Sequence, residues 1–319
     1  MESVSEARER IVVVVGSLNT DLVIGLDRMP DTGETVLGNS LSQVPGGKGL
    51  NQAVAAQRVG AKVAMIGAVG NDAFGRELLS VLEREGIEQS IAVADGCNTG
   101  TAIIELADNG ENRIVVVPGA NAQVDPARVR DSLTSLSERF EIGVVLVQGE
   151  IALDATASAL AFAREVGAIT ILNPAPMREF TREIFEHVDY LVPNEFEARD
   201  LVSQSDTRLD SMLDCVEAAN TILDLGVRNV IMTRGEKGAV WANANGSGQA
   251  AAFRIVPVDT VAAGDAFCGT FAAALNRSET FAEALRWASG AGALAATRTG
   301  AVDSLPNELE VRELLGLTN

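Results

Sequence analysis

Asp265 closes the run Val258-Asp259-Thr260-Val261-Ala262-Ala263-Gly264-Asp265 and opens a small, apolar, helix-prone stretch, Ala266 to Leu275. An apolar lead-in (Phe253, Ile255, Val256, Val258) makes the whole read as a strand-turn-helix junction. Such a junction leaves backbone N–H groups without partners at a helix start. Those donors and the helix dipole together favour an anion. A carboxylate placed there has two readings: it caps the helix, or it takes a proton from a hydroxyl that attacks a phosphate.

Other clusters carry related chemistry. Gly46-Gly47-Lys48-Gly49-Leu50-Asn51 precedes a helix expected over 52–59. Its glycines let the backbone approach a ligand closely. It fails the Walker A pattern, because Gly49 follows the lysine and the upstream glycine is missing. The bland reading is a plain loop leading into a helix. Against it, lysine occurs only at Lys48, Lys62 and Lys237, and Asn51 follows within the same turn. In Gly16-Ser17-Leu18-Asn19-Thr20-Asp21, Asn19 and Asp21 either bond the vicinal hydroxyls of a sugar or form turns with their own backbone.

Four further clusters are Gln148-Gly149-Glu150, Asn173-Pro174-Ala175-Pro176, Asn194-Glu195-Phe196-Glu197 and Thr233-Arg234-Gly235-Glu236-Lys237-Gly238. Glu197 read alone is a first-turn acid that suits a helix dipole. Carboxylates beside a phosphate site suggest magnesium, which takes oxygen ligands and keeps its waters. The Thr-x-Gly-x-x-Gly turn can hold a phosphate chain on backbone N–H groups.

The elements that must position these residues alternate. Short Val- and Ile-rich runs at 11–15, 63–66, 144–147, 169–172, 190–192 and 230–233 are each followed by helical periodicity. The helical stretches cover 52–59, 75–85, 155–166, 195–202, 212–225 and 266–275. Runs that are apolar throughout predict a mostly parallel α/β sheet covered on both faces. Ligands bind at the carboxyl ends of such strands, and every cluster above is expected just after one. Residues 18–45 and 97–119 break the alternation. The second region reads as a hairpin, Thr101–Leu106 and Arg113–Val117 around Asp108-Asn109-Gly110. These two segments are expected to form a small β-sheet lid. No linker separates domains, so 1–319 reads as a single domain with the lid inserted. From Glu279 onward the chain reads as helices with a break at Thr299-Gly300-Ala301.

Composition narrows the classes. A net charge of −19 over 319 residues argues against nucleic acid or an anionic membrane as partner. No apolar segment approaches the roughly 20 residues that span a bilayer, and a cytoplasmic location is expected. Cys97, Cys215 and Cys268 have no metal spacing, and Cys268 reads as an inert packing thiol. One histidine, His187, makes a Ser-His-Asp hydrolase improbable. The dinucleotide loop is missing, which disfavours a dehydrogenase.

Taken in register, Gly16-Ser17-x-Asn19-x-Asp21, Gly46-Gly47-Lys48-Gly49-x-Asn51-Gln52-Ala53, Asn194-x-x-Glu197 and Asp259-Thr260-x-Ala262-Ala263-Gly264-Asp265 resemble the ribokinase family of ATP-dependent sugar kinases. The resemblance runs from about residue 11 to 306. It implies a three-layer α/β fold and transfer of a phosphoryl group from ATP to the 5-hydroxyl of D-ribose. Asp265 is then the base, and the N–H groups of Ala262, Ala263, Gly264 and Asp265 form an anion hole. Asn19, Asp21, Gly47, Lys48, Asn51 and Glu150 would hold the sugar. Asn194, Thr233, Gly235, Gly238, Gly264 and Ser289 would line the ATP site. Glu197 would act on Mg2+ through water. A potassium ion (K+) would take Asp259, Val261, Ala295, Arg298, Gly300 and Ser304, several through carbonyl oxygens. The lid would pair two subunits as a homodimer.

Two departures from the family pattern carry expectations. Alanine at 262 stands where the common turn has glycine, which implies that this position does not need positive φ. Gly149 stands where a bulkier residue is common, which implies a larger sugar pocket. Other acceptors on the same fold are deoxyribose, a nucleoside or another ketose. A non-catalytic sugar sensor would be expected to lack Asp265 or Lys48, and both are present.

Overall fold

The computed structural model describes residues 8–109, 111–202 and 209–317. In chain order its first half comprises β1 (Arg10–Val15), β2 (Asn19–Leu26), β3 (Ser40–Gly46), α1 (Lys48–Arg58), β4 (Lys62–Gly70), α2 (Ala73–Arg84), β5 (Glu88–Ala94), β6 (Gly100–Ala107), β7 (Asn112–Val117), α3 (Pro126–Arg139) and β8 (Glu141–Gln148). The second half adds α4 (Leu153–Glu165), β9 (Ile169–Asn173), α5 (Arg182–Phe185), β10 (Tyr190–Leu191), α6 (Glu195–Leu201), α7 (Met212–Leu223), β11 (Asn229–Thr233), β12 (Ala239–Asn243), β13 (Gly246–Ala250), α8 (Ala263–Asn276), α9 (Phe281–Ala295) and α10 (Glu308–Leu314).

Nine strands form the main sheet in the order β13-β12-β11-β10-β9-β8-β1-β4-β5. All neighbours pair parallel except β11 with β12 and β12 with β13. The six apolar runs all become strands of this sheet. The reason is visible in β1, whose side chains alternate between two cores. Val12 and Val14 pack with Leu50 and Val54 of α1, Leu78 of α2 and Phe271 of α8. Ile11, Val13 and Val15 pack on the other face with Leu133 of α3, Leu160 of α4 and Ile222 of α7. A strand buried on both faces reads as continuously apolar.

The chain runs outward from β1 through β4 to β5, then returns to place β8 on the other side of β1. This reversal is a topological switch point, where the loops after β1 and β8 diverge and leave a crevice.

The expected lid is present as a separate four-stranded sheet in the order β3-β2-β6-β7. β6 and β7 form the expected antiparallel hairpin, from Thr101↔Val117 to Leu106↔Asn112. Gly110 of its turn lies outside the described residues.

One expectation fails. No strand leads into α8: β13 ends at Ala250, and residues 251–262 form no regular strand. β13 is the edge of the sheet, and the chain leaves it to cross to the C-terminal end of α9. There the Val258 and Asp259 N–H groups both donate to the carbonyl of Ala296, at 2.8 and 3.3 Å. The apolar run that suggested a strand is instead largely exposed, with Val256 at 81% and Val258 at 65%.

Helix α8 is nearly all small or apolar, and twelve of its residues are buried. It crosses α1 at Gly269, where a Cβ would lie 2.3 Å from the carbonyl oxygen of Gln52 and 2.8 Å from the Ala55 Cβ. Only glycine permits that approach. Gly269→Ala is therefore expected to push the two helices apart and cost about 1–3 kcal/mol, read as a lower urea midpoint at unchanged m-value. An unchanged midpoint would refute the close crossing.

Candidate active site

The crossing of α1 and α8 sets the centre of the site. One turn before Gly269 on α8 stands Asp265, 7% exposed. Asn51 of α1 donates from Nδ2 to its Oδ2 at 3.0 Å, and Gln52 donates from Nε2 to its Oδ1 at 2.9 Å. Gln52 also donates to Asn173 Oδ1 at 3.2 Å and accepts from Gln148 Nε2 at 2.7 Å. Asn173 in turn donates from Nδ2 to the Val192 carbonyl at 2.8 Å. The carboxylate is thus tied to the ends of β8, β9 and β10.

The start of α8 matches the anion-hole expectation in part. The Ala263 N–H turns back to the Thr260 carbonyl at 3.3 Å. Those of Ala262, Gly264 and Asp265 have no acceptor among the described residues. A Cβ added at Gly264 would meet nothing within 4 Å, so the helix start is open at that residue. Asp265 is not the cap: the N-cap residue is Ala262, and no side chain caps the helix.

Ala262 itself overturns an expectation. Its φ is 59° and its ψ 2°, in the left-handed region. The position does need positive φ, and alanine occupies it under strain. The turn must aim the next N–H groups out of the helix end, and the buried α8 beneath it fixes its direction. That conformation costs an L-residue roughly 1–2 kcal/mol.

The loop after β1 and the start of α1 interlock. Leu50 N–H donates to the Ser17 carbonyl at 3.0 Å, and Gly49 N–H to Ser17 Oγ at 3.2 Å. A Cβ at Gly49 would lie 2.5 Å from Ser17 N, and one at Gly47 (φ 93°) would lie 2.7 Å from Asn19 N. The glycines expected to admit a ligand therefore admit the neighbouring backbone.

Glu150 Oε2 accepts from Ser17 Oγ at 2.5 Å and from Lys48 N–H at 3.0 Å, locking both loops to the end of β8. Asn19 and Asp21 lie in β2, not in a turn. Asn121 Nδ2 donates to Asn19 Oδ1 at 2.7 Å. The Asp21 carboxylate has no hydrogen-bond partner among the described residues and rests against Gly46, where a Cβ would lie 2.2 Å from Oδ2.

The charges interact strongly. Burial, then the Glu150 and Asp265 carboxylates, push Asp21 from the ordinary 3.8 to about 7, against the pull of Lys48. Burial works against the Lys48 ammonium, yet Asp265, Glu150 and Glu197 together raise its pKa. Lys48 makes no ion pair among the described residues, so its charge is shared among the acids.

Gly149 brings a further correction. A Cβ there would lie 2.3 Å from the Pro176 carbonyl oxygen, so the glycine does not enlarge the sugar pocket. The 175–176 loop fills that space, and the Gly149 N–H donates to the Ala175 carbonyl at 3.0 Å.

On the outer side of α8, Asn194 and Glu197 engage each other in a capping box at the start of α6. Asn194 donates to Glu197 from N (2.8 Å) and Nδ2 (2.9 Å), so both carboxylate oxygens are in use. Burial, the leading cause, raises the Glu197 pKa.

Thr233 ends β11, and Gly235 and Gly238 take φ of 53° and 84°. In that turn the Arg234, Lys237 and Gly238 N–H groups are used internally, leaving those of Gly235 and Glu236 open. Arg234 is not a free cation, because Nε donates to Glu195 at 3.0 Å. Ser289 lines a cavity of about 430 Å³ with Trp241, Gln249, Phe253, Phe281 and Arg286.

The residues expected around a potassium ion meet in part. Asp259 Oδ1 accepts from Val261 N–H at 3.0 Å and Oδ2 from Gly300 N–H at 3.1 Å. The Ala295 carbonyl already accepts from Arg298 N–H at 3.1 Å. The Arg298 guanidinium pairs with Glu310 at 2.6 Å, and Ser304 Oγ donates to the Ala301 carbonyl at 2.8 Å. The oxygen-only donor set suits a hard cation.

Outside the site, Cys268 is buried and its thiol pushed well above the ordinary range by burial, as an inert packing role requires. The residues missed as site members are Ser17, Gln52, Asn121, Gln148 and Asn173. Four of these stand inside motifs already singled out, and their signal was position after a strand or at a helix start. Asn121 had none.

Two predictions follow from this geometry. Ala262→Gly is expected to keep normal turnover, whereas Ala262→Val loses at least about 1–2 kcal/mol of stability and most turnover; equal behaviour of the two would refute the strained turn. The folded-state pKa of Asp21 lies above its ordinary value, so the stability of its neutral form is complete below about 4 and lost as pH rises through about 7. Asp21→Asn should therefore melt higher than the parent at pH 8, by on the order of 3 kcal/mol, and the gap should close toward pH 4.

The chain is similar to known proteins over nearly its whole length. Residues 10–308 match the pfkB family carbohydrate kinase domain. A ribokinase of Schizosaccharomyces pombe is 39% identical over 311 residues, covering 94% of this chain and 96% of that one. A deoxyribokinase of Salmonella typhimurium is 33% identical, covering 96% and 99%. A crystal structure of a ribokinase from Thermotoga maritima superposes with a TM-score of 0.86 at 36% identity, covering 96% and 99%. A ribokinase of Arabidopsis thaliana complexed with ribose and ATP superposes with 0.85 at 28% identity, covering 98% and 100%.

Proposed function

The chain belongs to the pfkB family of carbohydrate kinases, and from that premise we propose that it transfers the γ-phosphoryl group of ATP to the 5-hydroxyl of D-ribose. The observation that carries this reading is the pairing at the start of α8. A buried carboxylate with both oxygens held by amide donors stands beside open backbone N–H groups. Proton acceptor and phosphoryl cradle are adjacent parts of one helix end.

Ribose lies between the β1 loop, the start of α1 and the lid sheet. Asp21, without a protein donor, takes hydrogen bonds from vicinal hydroxyls. Asn51 Oδ1, buried and unpartnered, accepts another. Asn19, Gly47, Lys48 and Glu150 complete the pocket. Asp265 accepts the proton of the 5-hydroxyl as that oxygen attacks. The N–H groups of Ala262, Gly264 and Asp265 then stabilise the charge developing on the phosphoryl oxygens. The rest of the rate comes from positioning.

The nucleotide lies along the outer edge. Asn194, Thr233 and the turn Gly235–Gly238 face its phosphates, and Ser289 and its cavity face its base. Magnesium, when bound with the nucleotide, neutralises phosphate charge. Glu197, whose two oxygens each accept one hydrogen bond from Asn194, would act on it through water. The Asp259 loop and the carbonyl oxygens of Val261, Ala295, Arg298 and Gly300 would hold a potassium ion, which would supply positive charge beside the turn that carries the anion hole.

The whole chain acts as one domain with the lid inserted, in the cytoplasm, as a homodimer. The lid edge supports the pairing: Ile114, Val115, Val116 and Val117 of β7 are 56%, 60%, 46% and 51% exposed. A second reading, phosphorylation of deoxyribose, draws support from the Salmonella relative.

The deciding experiment measures ADP release with ribose, deoxyribose, a nucleoside and a ketose in turn. Ribose is expected to give the highest kcat/KM, and higher efficiency on another acceptor would reassign the substrate. Asp265→Asn should lower kcat by about 100-fold or more while ribose affinity by calorimetry stays nearly unchanged. Near-normal turnover in that variant would remove the base.

A further inference from the structure

Gln52 takes no part in the reaction as described, yet it is fully buried against the base. Its environment fixes which end of its amide points where. An ionised Asp265 can only accept, so the Gln52 NH2 group must face it. One of its hydrogens goes to Asp265 Oδ1 and the other to Asn173 Oδ1. Gln52 Oε1 must then accept, and the Gln148 amide supplies the donor. That leaves Gln148 Oε1 buried with no donor, and it is orphaned in the structure.

A buried orphan acceptor is costly. It could be relieved only by reversing the row, which would aim Gln52 Oε1 at the carboxylate. The row keeps the polarity that serves Asp265 and leaves the unmet acceptor at its far end. Room for that acceptor exists because residue 16 is glycine, where a Cβ would lie 2.0 Å from Gln148 Oε1.

We propose that Gln52 is the positioning residue of the base. Through Gln148, Asn173 and the Val192 carbonyl it pins Asp265 Oδ1 to three strand ends, so that the substrate hydroxyl meets the carboxylate on the Oδ2 side, where Asn51 also donates. The proposal rests on Asp265 being the base. Its setting includes Asp21 of β2, Lys48 of α1 and Glu197 of α6, whose charges interact with Asp265, and the buried, un-ionised Cys268 thiol of α8. Gln52 is the uncharged neighbour that donates to Oδ1.

The test compares Gln52→Met, which keeps shape and removes the donor, with Gln52→Glu, which places a second carboxylate beside the base. In Gln52→Met, kcat should fall about 10-fold or more with the sugar KM nearly unchanged, and the acid limb of log kcat should move up by about one pH unit. In Gln52→Glu, which keeps size and shape should the methionine variant fail to fold, the limb should move further, because like charges share one proton. A readout independent of turnover is the 13C carboxyl resonance of Asp265 in aspartate-labelled protein, assigned by its loss in Asp265→Asn. Its titration midpoint should move up in both variants. An unmoved midpoint, or a raised sugar KM at unchanged kcat, overturns the proposal. Absence of ADP release by the parent protein would instead overturn the sugar-kinase reading, and the carboxyl titration would still decide the role of Gln52.

Discussion

The contact on which the site depends is the crossing of α1 over α8 at Gly269. Without a side chain there, the Gln52 backbone and the Ala55 methyl come within contact distance of the α8 axis. One turn along, that proximity becomes two hydrogen bonds from α1 to Asp265. α1 and α8 are therefore one closely packed pair, tied at the residues proposed to bind the sugar and to act as base. Their common core residues, Leu50, Val54, Phe267 and Phe271, are buried in a single apolar cluster. Interiors of this density transmit small displacements directly. The spacing between Asn51 and Asp265 is thus set by the packing of the two helices.

Around that pair the charges form a second constraint. Asp21, Glu150, Glu197 and Asp265 surround one lysine that pairs with none of them directly. An excess of acids in a buried space would repel an incoming phosphate. The open N–H groups at the start of α8 supply the opposing field without adding a titratable group. Fixed dipoles of this kind need no reorganisation when charge develops. The strain at Ala262 belongs to the same arrangement, since the left-handed turn is what points those donors away from the helix.

Much of this was legible in the residues. The six apolar runs became strands because burial on two faces leaves no room for polar alternation. The lid hairpin was legible from alternation and turn chemistry. The four motifs converged because each follows a strand or opens a helix on one side of the sheet. What was not legible depends on partners distant in sequence. The run from Phe253 to Val258 looked like a strand, but the sheet had already ended at β13, and the chain crosses instead to Ala296. Gly149 looked like empty space, but the space belongs to the Pro176 carbonyl. Ala262 looked tolerant of ordinary φ, because residue type alone does not show the direction in which a buried helix forces its first turn. Gln52 was quoted within a motif but given no role, since its partners Gln148 and Asn173 lie on two other elements.

The two sheets differ in what anchors them. β1 contributes alternate side chains to both large cores, so neither face of the main sheet can loosen without the other. Among the described residues, the lid has a core of its own of Leu26, Met29 and Ala107, with Ile24 and Val36 beside them. Such a unit opens at a small fraction of the free energy needed to unfold the whole. The molecule thus carries a gradient of local stability across its own binding site. Asp265, Gln52 and Glu150 sit at the rigid end, and Asn19 and Asp21 on β2 at the soft end. Two of the six residues proposed to hold the sugar, Asn19 and Asp21, belong to the less anchored sheet, so under the proposed function a product could be let go from that side while the other four stay in place.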